Sequence, residues 1–248
     1  TMSKDTFNEA NYEQAIIELF TLQLGYEYIY GPDIVRDYTE PLFLDRLQQS
    51  LLAINPTLPA VAIQEAIDKI RQIDTGSLVQ RNEVFTDYLQ NGVDVSYFDG
   101  KAQHSACVRL IDYDHPLHNN FVVANQWSIE EHSVRRADII VFINGLPLVV
   151  MELKSPSRTE TNVSEAYAQL RNYMQEIPSL FVYNAFCVMS DLVTSKAGTI
   201  TSGEDRFMEW KTVDGQTEDN HFANFHVLFC GMFEQERLIE ILRDFICF

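Results

Sequence analysis

The segment from Arg135 to Lys154 constrains the fold of this chain more than any other. It reads Arg135-Arg136-Ala137-Asp138, an apolar run to Ile143, Asn144-Gly145, a second apolar run to Met151, and Glu152-Leu153-Lys154. Asn-Gly between two apolar runs is a strong β-hairpin signal. Asp138 opens the first strand. Glu152 and Lys154 close the second and, being two residues apart, share one face of it.

Register decides whether Asp138 shares that face. A strict two-residue turn at Asn144-Gly145 pairs Ile143 with Leu146 and, carried along the strands, Asp138 with Met151, which puts Glu152 on the opposite face. A three-residue loop from Asn144 to Leu146 pairs Asp138 with Glu152. The expectation is therefore an odd-length loop or a bulge. Pro147, which has no backbone donor, argues against a regular tight hairpin.

With that register the three side chains suit phosphodiester hydrolysis. Asp138 and Glu152 supply oxygen ligands of the kind magnesium prefers. Lys154 is a compact cation that can hold a water and stabilise charge at phosphorus. A Glu-x-Lys pair alone is an ordinary surface salt bridge; placement at the ends of two apolar strands gives it weight. Gln169 and Tyr173 stand four apart, on one face of the next expected helix. Glu13 falls on the apolar stripe of the first helix, where a carboxylate usually has a partner or a metal; Glu18 lies on a more polar face. Arg135, Arg136 and Arg158 can contact phosphates or remain solvated charges.

Along the chain, residues 11–24 read as an amphipathic helix closed by Gly25, and residues 26–30 as a short strand. Residues 41–90 form a helical block, broken at Asp74-Thr75-Gly76-Ser77 and ended by Asn91-Gly92. Strands are expected at 108–113, 121–127, 138–143, 148–153 and 186–190. Helices are expected at 162–176, stopped by Pro178, and at 233–245. The order implies a mixed α/β domain spanning residues 1–248: a helical insertion at 35–90, a core at 93–211, and a C-terminal helical part at 212–248.

Composition limits the function. The net charge is −18, unfavourable for a chain that holds phosphates unaided. Residues 101–211 are nearly balanced, with 10 basic and 13 acidic side chains, so any DNA affinity is expected to come mainly from outside the chain. Cys107, Cys187, Cys230 and Cys247 form no C-x-x-C pair, which argues against a structural zinc site or a disulfide framework. His115-x-x-His118 and His221-x4-His226 read as surface polar pairs without companion ligands. No signal peptide or membrane span is expected, so a cytoplasmic location is the default.

Taken together, the motifs resemble the N-terminal part of the R subunit (HsdR) of type I restriction enzymes. They are Phe121 to Gln126, Arg135-Arg136-Ala137-Asp138, Asn144 to Pro156, Ala166 to Tyr173, Ile177 to Phe181, Tyr183-Asn184, Ser190-Asp191, Glu204 to Phe207 and Trp210-Lys211. The resemblance implies a PD-(D/E)xK, restriction-endonuclease-like fold: a mixed sheet flanked by helices. It implies a magnesium-dependent endonuclease acting on double-stranded DNA, with Asp138, Glu152 and Lys154 as the acid–acid–lysine set. Gln169 and Tyr173 match the Q-x-x-x-Y motif, and Glu13 the first-helix glutamate. Ala137 stands where the motif has proline. Family members continue into an ATP-driven translocase and assemble with methyltransferase (M) and specificity (S) subunits. This sequence has no G-x-x-x-x-G-K-[ST] loop, so ATP is expected to bind elsewhere in a longer polypeptide. An inert docking module and a stand-alone RecB-like nuclease are the rival expectations.

Overall fold

The hairpin forms, and a six-stranded mixed sheet is built around it. The computed structural model describes residues 9–154, 162–191, 193–214, 218, 224–244 and 246; Arg158 and His221 lie outside them. The strands are β1 (Glu27–Tyr30), β2 (Val93–Phe98), β3 (Gln103–Val108), β4 (Phe121–Glu130), β5 (Val134–Ile143), β6 (Leu146–Leu153), β7 (Phe186–Ser190) and β8 (Ser195–Gly198). The main sheet runs β1-β4-β5-β6-β7-β8, and β2 and β3 form a separate hairpin. Pairing is parallel for β1–β4 and β6–β7 and antiparallel elsewhere.

The helices are α1 (Glu9–Glu18), α2 (Leu44–Ile54), α3 (Ala60–Arg71), α4 (Leu78–Asn91), α5 (Asn162–Glu176), α6 (Pro178–Val182), α7 (Asn224–Phe233) and α8 (Gln235–Asp244). They cover both faces of the sheet. One face, with Val123, Ile139, Val141, Val149 and Met151, packs against α1 to α4, α7 and α8. The other, with Val122, Ile140, Phe142 and Val150, packs against α5 and α6. Burial of strand residues on both faces explains the runs without polar alternation.

Two sequence expectations are corrected and one helix is added. The strand expected at 108–113 lies earlier, at Gln103–Val108, and a loop follows. That loop is built on side-chain hydrogen bonds: Asn119 Oδ1 accepts from the Asp112 amide at 2.8 Å, and Asn119 Nδ2 donates back to the Asp112 carbonyl at 2.9 Å. The helix expected at 233–245 is present as α8, and Glu234 just before it accepts the amides of Glu236 and Arg237 and so caps it; α7, ahead of it, is a helix the sequence pattern does not announce. The first helix passes into a π-helical turn at Leu19–Gln23 before Gly25, which has φ 75°. Elsewhere the punctuation acts as expected. Ser77 and Gln80 form a capping box at the start of α4, and Gly92 ends that helix. Among the described residues no helix is long and apolar enough to cross a membrane.

Register is settled by a bulge. The turn is the tight one: Ile143 pairs with Leu146, and Asn144 and Gly145 have φ of 53° and 80°, as a type I′ turn requires. Pro147 pairs with Phe142, and the register then shifts, so that Val141 faces Val149 and Ile139 faces Met151. Leu148 is the extra residue. The bulge lets Leu148 and Val149, neighbours in sequence, enter the same core, and one step further the register sets Asp138 opposite Glu152. The missing amide of Pro147 costs little beside a bulge, where the ladder is already interrupted.

The turn also carries the helical insertion. Phe43, just before α2, donates its amide to the Gly145 carbonyl at 3.0 Å. A Cβ at Gly145 would lie 2.5 Å from the Leu47 nitrogen and 2.6 Å from the Phe43 oxygen, so both the positive φ and the close approach require glycine.

Candidate active site

Asp138, Glu152 and Lys154 come together at the end of the hairpin away from its turn. The Leu153 amide donates to Asp138 Oδ2 at 2.9 Å, which ties the first carboxylate to the second strand. Lys154 Nζ donates to Glu152 Oε1 at 2.6 Å. The Lys154 amide donates to the Ser190 carbonyl at 2.9 Å, anchoring the strand end to β7. Beneath it, the Tyr12 hydroxyl meets Ser190 Oγ, which lies 2.5 Å from Ser195 Oγ.

Glu152 is 3% exposed, and its Oε2 is buried without a hydrogen-bond partner. Burial raises the pKa of Glu152, and the attraction of Lys154 opposes the rise without cancelling it. Asp138 is pushed up to about 8, first by burial and then by repulsion from Glu152, against the Leu153 hydrogen bond. Burial draws Lys154 down, but Glu152 outweighs it and the ammonium pKa is raised. Two desolvated carboxylates beside one ammonium leave negative charge under-compensated. The donor set is all oxygen, with one orphaned atom, and suits a divalent cation.

The remaining candidates differ in what they touch. Tyr173, on α5, donates its hydroxyl to the Arg136 carbonyl at 3.1 Å. Burial and then the neighbouring Glu152 raise its pKa, with Gln169 hydrogen-bonded to it in opposition. The two polar members of the Q-x-x-x-Y pattern thus meet each other beside Glu152. Glu13 is held by two side-chain amides: it accepts from Asn125 Nδ2 at 2.6 Å and Gln126 Nε2 at 2.8 Å. These are residues of β4, and Gln126 has φ 54° where the strand faces Asp138. Glu18 is exposed and accepts from Gln14. Arg135 is paired through its fork with Glu176, and Arg136 is exposed.

Glu9 was missed by the sequence reading. It stands one helical turn before Glu13, at the start of α1, and its charge bears on Asp138, Glu152 and Lys154 together. The available signal was spacing: Glu9 and Glu13 are four apart and share a helix face. Nothing local told which would meet the sheet end.

A mixed sheet flanked by helices, opened at one strand end by this charged group, defines a restriction-endonuclease-like domain. The family described as "Type I restriction enzyme R protein N terminus" matches residues 6–206, and the chain belongs to it. It is 36% identical over 252 residues to the "Type I restriction enzyme HindI endonuclease subunit" of Haemophilus influenzae, covering 94% of this chain and 24% of that protein. It is 30% identical over 265 residues to the "Putative type I restriction enzyme MjaIXP endonuclease subunit" of Methanocaldococcus jannaschii, covering 94% of this chain and 25% of the relative. The chain thus spans about a quarter of the length of these relatives.

Proposed function

We propose that this chain is the nuclease domain of a type I restriction enzyme R subunit and hydrolyses phosphodiester bonds of double-stranded DNA with a divalent ion, magnesium by preference. The observation that carries this reading is the buried Glu152 carboxylate, with one oxygen on Lys154 and the other orphaned, across the sheet from a second raised carboxyl at Asp138. Asp138 and Glu152 are the residues that would hold the ion. Bound there, it supplies charge neutralisation for the phosphate and acidifies a water.

The chain's own residues do the rest. Lys154, held by Glu152, offers a fixed ammonium to the charge that grows on the phosphoryl oxygens. Tyr173 and Gln169 wall the Glu152 side and limit its rotamers. Glu9 adds a further carboxylate at the rim, and Glu13 braces β4 through its two amide partners. Arg136 is free to meet a phosphate, whereas Arg135 is engaged by Glu176.

The substrate would be read by backbone and shape, not by sequence, because the described groups at the site, Asp138, Glu152 and Lys154, are of the kind that engage phosphate. The net charge of −18 assigns most DNA affinity to other parts of the assembly: the translocase region of the same polypeptide, driven by ATP, and the M and S subunits. The test is Asp138→Ala and Lys154→Ala in the whole enzyme. DNA cleavage should fall by about a hundredfold or more while ATP hydrolysis persists. Ordinary cutting by either variant refutes the assignment.

A further inference from the structure

A second group of metal-binding character lies at the opposite end of the hairpin. Asp112, His115 and His118 bring their ligand atoms within 4.8 Å of one another. Local geometry explains this. Residues Pro116–His118 form a single 3-10 turn, and such a turn eclipses positions three apart. The two imidazoles accordingly stack, with centroids 4.8 Å apart and planes at 16°. Both rings turn Nδ1 toward one carboxylate: His118 Nδ1 is 3.4 Å from Asp112 Oδ2, and His115 Nδ1 is 3.7 Å from Asp112 Oδ1.

Those separations are long for hydrogen bonds. The 3.4 Å separation of His118 Nδ1 from Asp112 Oδ2 is close to the ligand–ligand edge, about 3.3 Å, of a tetrahedral ion with bonds of about 2.0–2.1 Å. The carboxylate is buried, its side chain 4% exposed, whereas the imidazoles are 66–67% exposed. The group is therefore anchored at its base and open to solvent above.

The anchoring is extensive. The His115 amide donates to Asp112 Oδ1 at 3.0 Å, and Asn119 Nδ2 donates to the Pro116 carbonyl at 2.8 Å. Asn144, in the hairpin turn, donates to Asn119 Oδ1 at 2.8 Å and to the Leu110 carbonyl at 2.9 Å. Asp112 and the loop backbone are held this way, while the exposed imidazoles turn out of their stack to aim both Nδ1 lone pairs at one ion. Arg109 competes on the Oδ1 edge, 3.6 Å from that oxygen, but it is also drawn to Asp114 and to the Ile54 carbonyl. A nearby cation and two imidazoles disfavour magnesium and favour an ion that binds nitrogen strongly.

We propose that Asp112, His115 and His118 form a zinc site that clamps the loop between β3 and β4, with its fourth position open to water. Along the strands it lies roughly 20 Å from Asp138 and Glu152, and it is independent of the nuclease reading.

The test is zinc titration of the purified chain by calorimetry, with imidazole resonances followed by NMR. The titration is repeated in an Asp138→Asn background to silence the other carboxylate pair. In the Asp138→Asn background one zinc per chain should bind and shift the ring signals of His115 and His118. His115→Ala and His118→Ala, at exposed positions that leave the fold intact, should each weaken binding by at least about tenfold and leave DNA cleavage by the whole enzyme unchanged. Zinc that fails to bind in the Asp138→Asn background, or that binds there equally to either alanine variant, overturns the proposal.

Discussion

Replacing Asp138 by Asn should stabilise the metal-free chain at neutral and alkaline pH. Asp138 is raised from 3.8 to about 8 by burial and by Glu152. An acid whose folded pKa is raised holds its proton more tightly in the folded state, so folding binds protons between the two values. Stability from this group is complete below pH 3.8, declines as pH rises through the window, and levels off above about pH 8. At pH 7 the part of this window already crossed corresponds to about 4 kcal/mol for an isolated group. Water penetration and relaxation reduce such penalties, so the measured gain should be about 2 kcal/mol. Asn keeps the acceptor for the Leu153 amide and offers a donor toward Glu152, so no contact is lost. The assay is urea unfolding in EDTA at pH 5 and pH 8, repeated with magnesium. The variant's advantage should be larger at pH 8 than at pH 5. With about 10 mM magnesium and a millimolar site, the unsubstituted chain should gain about 1.4 kcal/mol and the variant much less. A variant less stable than its parent at pH 8 in EDTA, or an advantage that grows toward acid, refutes the electrostatic reasoning.

Three further predictions concern the frame of the site. Gly145→Ala should destabilise by about 2–4 kcal/mol, since it adds a left-handed non-glycine residue and a clash with the start of α2; thermal unfolding measures it, and a neutral result would place α2 elsewhere. Tyr173→Phe removes the hydrogen bond to the Arg136 carbonyl and should cost about 1 kcal/mol, with a loss of cleavage smaller than that of Lys154→Ala. Glu9→Gln should change magnesium affinity more than Glu13→Gln does, because the charge of Glu9 bears on the trio while Glu13 is occupied by Asn125 and Gln126; calorimetry with both variants decides, and the reverse ranking sinks the assignment.

Much of this molecule was legible along the chain because the signals are local. Asn144-Gly145 demanded positive φ and marked the hairpin. Helix α5, expected at 162–176, and strand β7, expected at 186–190, begin and end at those residues, since Pro178 and the apolar pattern act within a few residues. The errors arose where side chains, not backbone propensity, form the structure. The loop after Val108 is held by Asn119 and by Asn144, which lies 34 residues from the Leu110 carbonyl it satisfies.

The sequence by itself determined that Glu152 and Lys154 share a face, because strand side chains alternate whatever the surroundings. It left open the face of Asp138, and only the packed sheet decided it: Leu148 is taken into the core beside Val149, and the bulge this makes turns the later residues of β6 by one position. The amide partners of Glu13, and the meeting of Asp112 with two histidines, likewise depend on where a helix and a loop dock. Spacing fixes which residues of one element lie side by side, whereas contact between elements depends on long-range packing that no short stretch of sequence encodes.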